Sequence, residues 1–368
     1  MLDAIDLSII ALALVLLLIA IRQLGEFKLQ IWQIMLFGAL AVLLSGEISP
    51  QDAASAINSD VMIFLAGMFI IGEAMRESGY LFHLFSRIFC RAKSLDQLLI
   101  LILFAMGLLS ALLMNDTLAI IGTPLMLYLA RALRISPKLL LLTLAFAITT
   151  GSAMSPIGNP QNLLIAINAS LANPFQVFFQ YLFLPTVANL VILILVKVLA
   201  VSIQSSQRLP LTYIAIFSAL PVILFSRRRW EIMRNIDWCT LVFFAAMFVL
   251  MESVWSSGVF QGIMRESSAG FGSIPAILAL SVFLSQIISN VPFVALFQPL
   301  LHNPSAQDLM ALAAGSTIAG NLFILGAASN VIIIQNAEKS GESLTFLDFA
   351  RVGVPLTALN VLVYWIFL

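Results

Sequence analysis

The sequence predicts an all-α polytopic membrane protein of two structural repeats in opposite orientation, each with a re-entrant helical hairpin and a broken transmembrane helix. Three observations carry this expectation. Of 368 residues, 61% are hydrophobic and 10% charged, and mean hydropathy is +1.06, whereas soluble domains carry about 25% charge. Two polar stretches interrupt the apolar runs: Gly151-Ser152-Ala153-Met154-Ser155-Pro156-Ile157-Gly158-Asn159-Pro160-Gln161-Asn162 and Ala319-Gly320-Asn321-Leu322-Phe323-Ile324-Leu325-Gly326-Ala327-Ala328-Ser329-Asn330. Unwound backbone at membrane depth is tolerated only inside protein or along a water-filled cavity, and a matched pair of such breaks points to a binding site.

The third observation is an internal repeat. Phe64 to Phe69 matches Phe243 to Phe248, with Glu73 over Glu252 and Gly79 over Gly258, at 243 − 64 = 179. Ser110, Asn115, Pro124 and Leu125 match Ser285, Asn290, Pro299 and Leu300, at 290 − 115 = 175. Gly158, Asn162, Asn168 and Ala169 match Gly326, Asn330, Asn336 and Ala337, at 326 − 158 = 168. Chance likeness of apolar helices would not keep Asn and Gly aligned across three separated blocks. The repeats are 1–201 and 202–368.

In chain order, apolar spans cover 5–21, 29–46 and 60–78, long enough to meet a hydrocarbon layer of about 30 Å. The acidic start, Asp3 and Asp6, is unlike a signal peptide, so the first span is expected to be retained. An amphipathic stretch, 80–93, carries His83, Arg87, Arg91 and Lys93 and suits the interface. A hairpin at 95–134 is interrupted at Asn115-Asp116-Thr117, and 138–170 is interrupted at the first polar stretch. Then come 177–201, a polar linker from Gln204 to Arg208, 210–226 and 238–256. A second hairpin at 274–301 has its tip at Ser289-Asn290-Val291-Pro292, followed by the broken helix 307–340 and a last span, 351–368. For each hairpin the expectation is two half-length helices meeting at depth; the alternative is two ordinary spans joined by a turn in water.

Basic loops face inward. The loop 47–60, with Glu47, Asp52 and Asp60, reads as external, and the clusters Arg76/Arg87/Arg91/Lys93, Arg131/Arg134/Lys138 and Lys197/Arg208 read as internal. Arg227, Arg228, Arg229 and Arg234 should also be internal, which inverts the second repeat, yet one crossing by 210–226 would put them outside. Either 210–226 does not cross, or a span equivalent to 5–21 is missing.

Lys+Arg equals Asp+Glu at 18 each, so no basic surface argues for nucleic acid. Cys90, Cys239, His83 and His302 are mutually isolated and offer no metal spacing, disulfide framework or nucleophile–base pair. No enzyme and no cofactor are expected. Glu73 and Glu252 occupy equivalent repeat positions and read as interfacial or paired structural carboxylates, with a role in ion passage as the alternative.

Asp116 is the only acidic residue in the four interruptions, and an intramembrane carboxylate is a functional candidate. It could ligate Na⁺ or take up a coupling proton; alternatively it caps the helix beginning at Thr117. Unwinding frees carbonyls for a cation and exposes the N-terminus of the half-helix from Gln161, which favours a negative or polar oxygen ligand. Pro160 suits the first turn of that helix. The candidate substrate and ion contacts are Asn115, Asp116, Thr117, Ser152, Ser155, Gly158, Asn159, Asn162, Ser289, Asn290, Asn321, Gly326, Ser329 and Asn330. Candidate Na⁺ ligands are Asn115, Asp116, Gly158 and Asn290. No Lys or Arg lies in the interruptions, so no bidentate carboxylate clamp is visible. That favours a small oxygen-rich solute, or an anion held by amides, helix ends and a co-bound cation.

Paired hairpins with Asn-bearing tips, each followed by an interrupted helix, resemble the ion transporter superfamily. It holds arsenite efflux pumps, sodium/proton antiporters of the NhaD type, and citrate and divalent-anion/sodium symporters. The resemblance covers about residues 30–368 and rests on Asn115-Asp116-Thr117, Pro156 to Asn162, and Ser289-Asn290-Val291-Pro292. It implies that the tips and breaks form the substrate and cation sites, that one mobile unit moves as an elevator, and that the scaffold forms a homodimer. The dicarboxylate branch has Ser-Asn-Thr at both tips, from which Met114-Asn115-Asp116-Thr117 departs toward the arsenite-pump and NhaD branches. The expected function is secondary active transport of a small anion or oxygen-rich solute, arsenite- or antimonite-like, carboxylate or inorganic, coupled to H⁺ or Na⁺ by alternating access. The rivals are a Na⁺/H⁺ antiporter, a passive channel and an intramembrane enzyme. The expected location is the cell (plasma or inner) membrane, as a multi-pass protein.

Overall fold

Lipid offers backbone groups no partner, so an apolar chain at depth satisfies its N–H and C=O groups within helices. The computed structural model follows that rule. It describes residues 7–21, 23–24, 27–28, 31–89, 91–169, 171, 173–195, 229–258, 273–288, 290–301, 303–338, 341–342, 344 and 346–368. Apart from two short strands, Gln23–Leu24 and Phe27–Lys28, paired antiparallel, the described elements are helical. The expected span 210–226, the linker from Gln204 to Arg208, Cys90, His302, Ser289, Arg227 and Arg228 lie outside the described residues.

The first part of the chain forms α1 (Leu7–Ile21), α2 (Ile31–Leu44), α3 (Pro50–Ala56), α4 (Ser59–Ser78) and α5 (Tyr80–Phe89). α3 was not anticipated: Ser49 caps it through the Asp52 N–H, and it meets α4 at a bend of 53°. The first hairpin is α6 (Leu95–Leu113) and α7 (Asn115–Leu133), and the first broken helix is α8 (Pro137–Ser152) and α9 (Pro160–Asn168). α10 (Pro174–Leu195) follows. After the undescribed segment come α11 (Arg229–Asn235) and α12 (Trp238–Ser256). The second hairpin is α13 (Ile274–Ile288) and α14 (Asn290–Phe297), the latter extended by a 3-10 turn, Gln298–Leu300. The second broken helix is α15 (Ala306–Leu322) and α16 (Ala328–Glu338), and α17 (Phe346–Phe367) closes the chain.

Among the described residues, five helices are long and apolar enough to cross a membrane: α6, α7, α10, α12 and α17. Counting the bent pair α3–α4 as one span brings the number to six. One expectation needs correcting. The arms of the first hairpin are not half-length; each has 19 residues, about 28 Å of helix. The second arm of the second hairpin is short, at 8 residues.

Two packing themes position the site. α6 lies along α8, and α13 along α15. The α6–α8 approach depends on glycine: a Cβ on Gly151 would collide with the Gly107 carbonyl. The second theme is an exchange. α7, the returning arm of the first hairpin, packs on α16 as well as α8, and α14 packs on α9 as well as α15. The buried apolar residues follow this exchange. One cluster gathers α5 to α8 with α16 and α17; the other holds α1 to α4 and α9 to α15, with Tyr364 of α17.

Candidate functional site

The first tip is closed inside protein rather than exposed. Met114 is 1% exposed, Asn115 5%, Thr117 6% and Asp116 9%. Met114 has φ 62 and ψ 140, a conformation costing a non-glycine residue about 1–3 kcal/mol and held only when its surroundings demand it. α7 starts at Asn115, not Thr117, and has no side-chain cap hydrogen bond. The capping role considered for Asp116 is therefore not the one found. Asp116 sits in the first turn of α7, and no hydrogen bond or ion pair reaches its side chain among the described residues.

The tip joins both breaks. The Asn115 backbone N–H donates to the Gly158 carbonyl at 2.9 Å, and Asn115 Nδ2 donates to Ser329 Oγ at 3.5 Å. Glycine is required at 158 because a Cβ there would run into the Ser152 carbonyl.

In the first break, Asn159 caps α9 by accepting the Asn162 N–H at 2.9 Å. Its Nδ2 donates to Ser152 Oγ at 3.0 Å and to Thr317 Oγ1 on α15 at 3.1 Å. Asn162 Nδ2 donates to the carbonyls of Ser152, Ala153 and Ser155 at 3.2, 3.2 and 3.0 Å. One amide thus ties down three carbonyls left by the unwinding, and Thr317 Oγ1 donates back to Asn162 Oδ1 at 3.2 Å. These carbonyls, expected to be open to a cation, are in part occupied.

The second break uses the same device. Asn330 Nδ2 donates to the Gly320 carbonyl at 2.6 Å, ten residues back, as Asn162 does to Ser152. A Cβ on Gly326 would crowd the Ala319 carbonyl and Gln286 Oε1. Gln286 on α13 donates from Nε2 to the Ala319 carbonyl at 2.8 Å, binding the hairpin to the break. Asn290 begins α14 and is buried; Ser329 and Ser155 are buried as well.

Asn321 goes elsewhere. Its Nδ2 donates to Thr150 Oγ1 and Asn360 Oδ1, both at 3.0 Å, and Asn360 Nδ2 donates to Asn189 Oδ1 at 2.9 Å. This buried ladder joins α8, α15, α17 and α10, and beside it Thr186 Oγ1 and Tyr364 Oη share a hydrogen bond of 2.7 Å. Sequence reasoning missed Thr317, Gln286, Thr150, Asn189 and Asn360. For Thr317 a signal existed: it lies over Thr149 at 317 − 149 = 168, the offset of the breaks.

Several polar side chains around the tips and breaks have open hydrogen-bonding atoms. The Oδ1 atoms of Asn115, Asn290 and Asn330, Ser285 Oγ and Thr149 Oγ1 are buried without a hydrogen-bond partner among the described residues. Leaving such groups unpaired costs about 1–3 kcal/mol each, and the three amide oxygens suit a partner that brings positive charge or a donor. Among the described residues, no group of three or more His, Cys, Asp or Glu could hold a metal.

A family model described as "Citrate transporter" matches residues 14–308. The chain belongs to the citrate transporter family. Relatives agree along nearly its full length: an uncharacterized transporter of Mycobacterium tuberculosis is 27% identical over 401 residues, covering 90% of this chain and 92% of its own. The 46 kDa membrane protein of Mycobacterium leprae is 24% identical over 394 residues, with the same two coverages, 90% and 92%. The human P protein is 30% identical over 173 residues, 41% of this chain and 21% of its own length. This citrate transporter family member is thus a transporter and a multi-pass integral membrane protein.

Proposed function

We propose that this member of the citrate transporter family is a secondary active transporter that moves a small anion or oxygen-rich solute, coupled to Na⁺ or H⁺, by alternating access. The solute is a carboxylate or an inorganic oxyanion, arsenite and antimonite included. The observation that carries the reading is the place of Asn115. Its backbone holds one break, its Nδ2 reaches the other, and its Oδ1 stays open beside the unpaired Asp116. A cation bound there would complete the open oxygens and hold an anion for which the interruptions supply no Lys or Arg. Helix N-termini at Pro160 and Ala328 would face the anion's oxygens.

Two repeats of opposite orientation fit this scheme. The offset of 168 recurs between the Asn162–Ser152 and Asn330–Gly320 contacts (330 − 162 and 320 − 152). The hairpins also exchange partners, α7 on α16 and α14 on α9. The test is uptake into proteoliposomes of citrate, succinate, sulfate, arsenite and antimonite under imposed Na⁺ and pH gradients. Flux that follows only the solute's own gradient would replace coupled transport by a passive channel.

A sodium/proton antiporter is the second reading, favoured by the buried, unpaired Asp116 carboxylate. Fluorescent pH measurement in inverted vesicles separates the two. Proton movement driven by Na⁺ with no solute present would support the antiporter.

A further inference from the structure

Beside the first tip is a cavity of about 60 Å³. Its polar lining is Glu73 from α4, Thr117 from α7, and Asn235 and Asp237 from the junction of α11 and α12, and Gly72 opens its wall. Two carboxylates, an amide and a hydroxyl line this space, and among the described residues no Lys, Arg or His lines it. Asp237 is already the cap of α12, accepting from the Thr240 N–H at 3.0 Å and from Thr240 Oγ1 at 2.6 Å. Acidic neighbours alone would make only a solvated pair.

A second observation points to a ligand. Thr117 is 6% exposed and lines the cavity, yet no hydrogen bond reaches its hydroxyl among the described residues. Both branches of the side chain lie against α4, with Cγ2 2.9 Å and Oγ1 3.0 Å from where a Cβ on Gly72 would stand. A larger residue at position 72 would close the space in front of it. Thr117 adjoins Asp116 in the first turn of α7, so the cavity lies one residue from the proposed coupling carboxylate.

We propose that this cavity is the entry chamber for the coupling cation and that the cation is Na⁺, an inference that rests on the coupled-transport reading above. A water needs about 10–15 Å³ of such space, so the cavity has room for a Na⁺ that keeps several of its waters. Two carboxylates among neutral oxygens concentrate a hard monovalent cation without the fuller ligand shell that would trap it. Glu73 and Asp237 draw Na⁺ in, and the Thr117 hydroxyl passes it to Asp116 and Asn115 Oδ1.

The experiment uses full-length protein in proteoliposomes, with solute uptake titrated against Na⁺ at fixed pH and choline as the replacement. Glu73→Gln keeps size, and Asp237→Asn keeps a capping side chain. Each is expected to raise the Na⁺ concentration for half-maximal uptake roughly fivefold, the scale of one exposed charge contact, and the pair more. Thr117→Val should raise it too, and Thr117→Ser should restore it, which keeps the test alive if a carboxylate variant fails to fold. The Na⁺-induced rise in melting temperature of purified protein, with NaCl against choline chloride, should weaken in parallel. Unchanged half-activating Na⁺ in the folded variants, with or without a lower flux, would overturn the chamber alone. A wild-type protein whose uptake answers to pH and not to Na⁺ would overturn the Na⁺ assignment. A wild-type protein answering to neither gradient would overturn the coupled-transport reading itself.

Discussion

Gly158→Ala is the most direct structural challenge to the seating of the tip on the break. The added methyl would collide with the Ser152 carbonyl oxygen and lie 2.8 Å from both the Ser152 carbonyl carbon and its Cα. That is backbone, with no flexible end to swing away, so Ser152 or Gly158 must move. Overpacking of this kind costs about 1–3 kcal/mol. The Gly158 carbonyl also accepts the Asn115 N–H at 2.9 Å, a bond contributing about 1 kcal/mol. Together the change is about 2–4 kcal/mol, or roughly 30- to 700-fold in an equilibrium that needs the tip seated. The assay is the concentration dependence of uptake in proteoliposomes, with monodispersity in detergent as the control for folding. Half-saturation should rise by at least 30-fold, or uptake should vanish. Gly46→Ala, at an exposed turn with φ 81 and nothing within 4 Å, should leave uptake kinetics alone. Wild-type kinetics in a folded Gly158→Ala protein would refute the tip–break reasoning.

Other expectations follow from the same geometry. Asn162→Ala removes two N–H donors shared among three carbonyls and Asn330→Ala one contact; at about 1 kcal/mol per hydrogen bond, the melting temperature should fall further for Asn162→Ala, and equal losses would contradict it. Asn360→Ala leaves Asn321 and Asn189 without their shared partner and should cost about 2–3 kcal/mol in reversible denaturation, whereas a neutral result would mean the ladder is dispensable. Lys138 and Asp348 form an ion pair of 2.7 Å with side chains 46% and 26% exposed; Lys138→Ala should change stability by less than about 1 kcal/mol, and a larger loss in the same assay would be unexpected.

What could be read in advance was whatever disturbs an apolar run. The breaks at 153–159 and around 323–327 stood out because Gly, Pro and Asn are costly in membrane helices, and the helices end there. Asn159 and Pro160 announced the start of α9 by the ordinary rules of capping. Features that leave hydropathy unchanged stayed hidden. Asn189 and Asn360 are single polar residues within apolar stretches of long helices, and only the packing of α10 on α17 brings them together. Asn321 stood inside a break and was grouped with the site, but it turns toward Asn360. The arms of the first hairpin were expected short because a polar tip at depth suggests half-helices. α6 and α7 are instead full-length, and the tip is buried by the breaks that cover it. The bend between α3 and α4 had no signal beyond Asn58, whose side chain accepts the Val61 N–H at 3.1 Å.

The central claim is that a cation held at the first tip drives the solute. It is tested most directly by accumulation in proteoliposomes given an inward Na⁺ or proton gradient and equal solute on both sides. Wild-type protein should concentrate the solute inside, while Asp116→Asn, equal in size but without the charge, should give no accumulation. Equal accumulation by the two proteins would contradict the account.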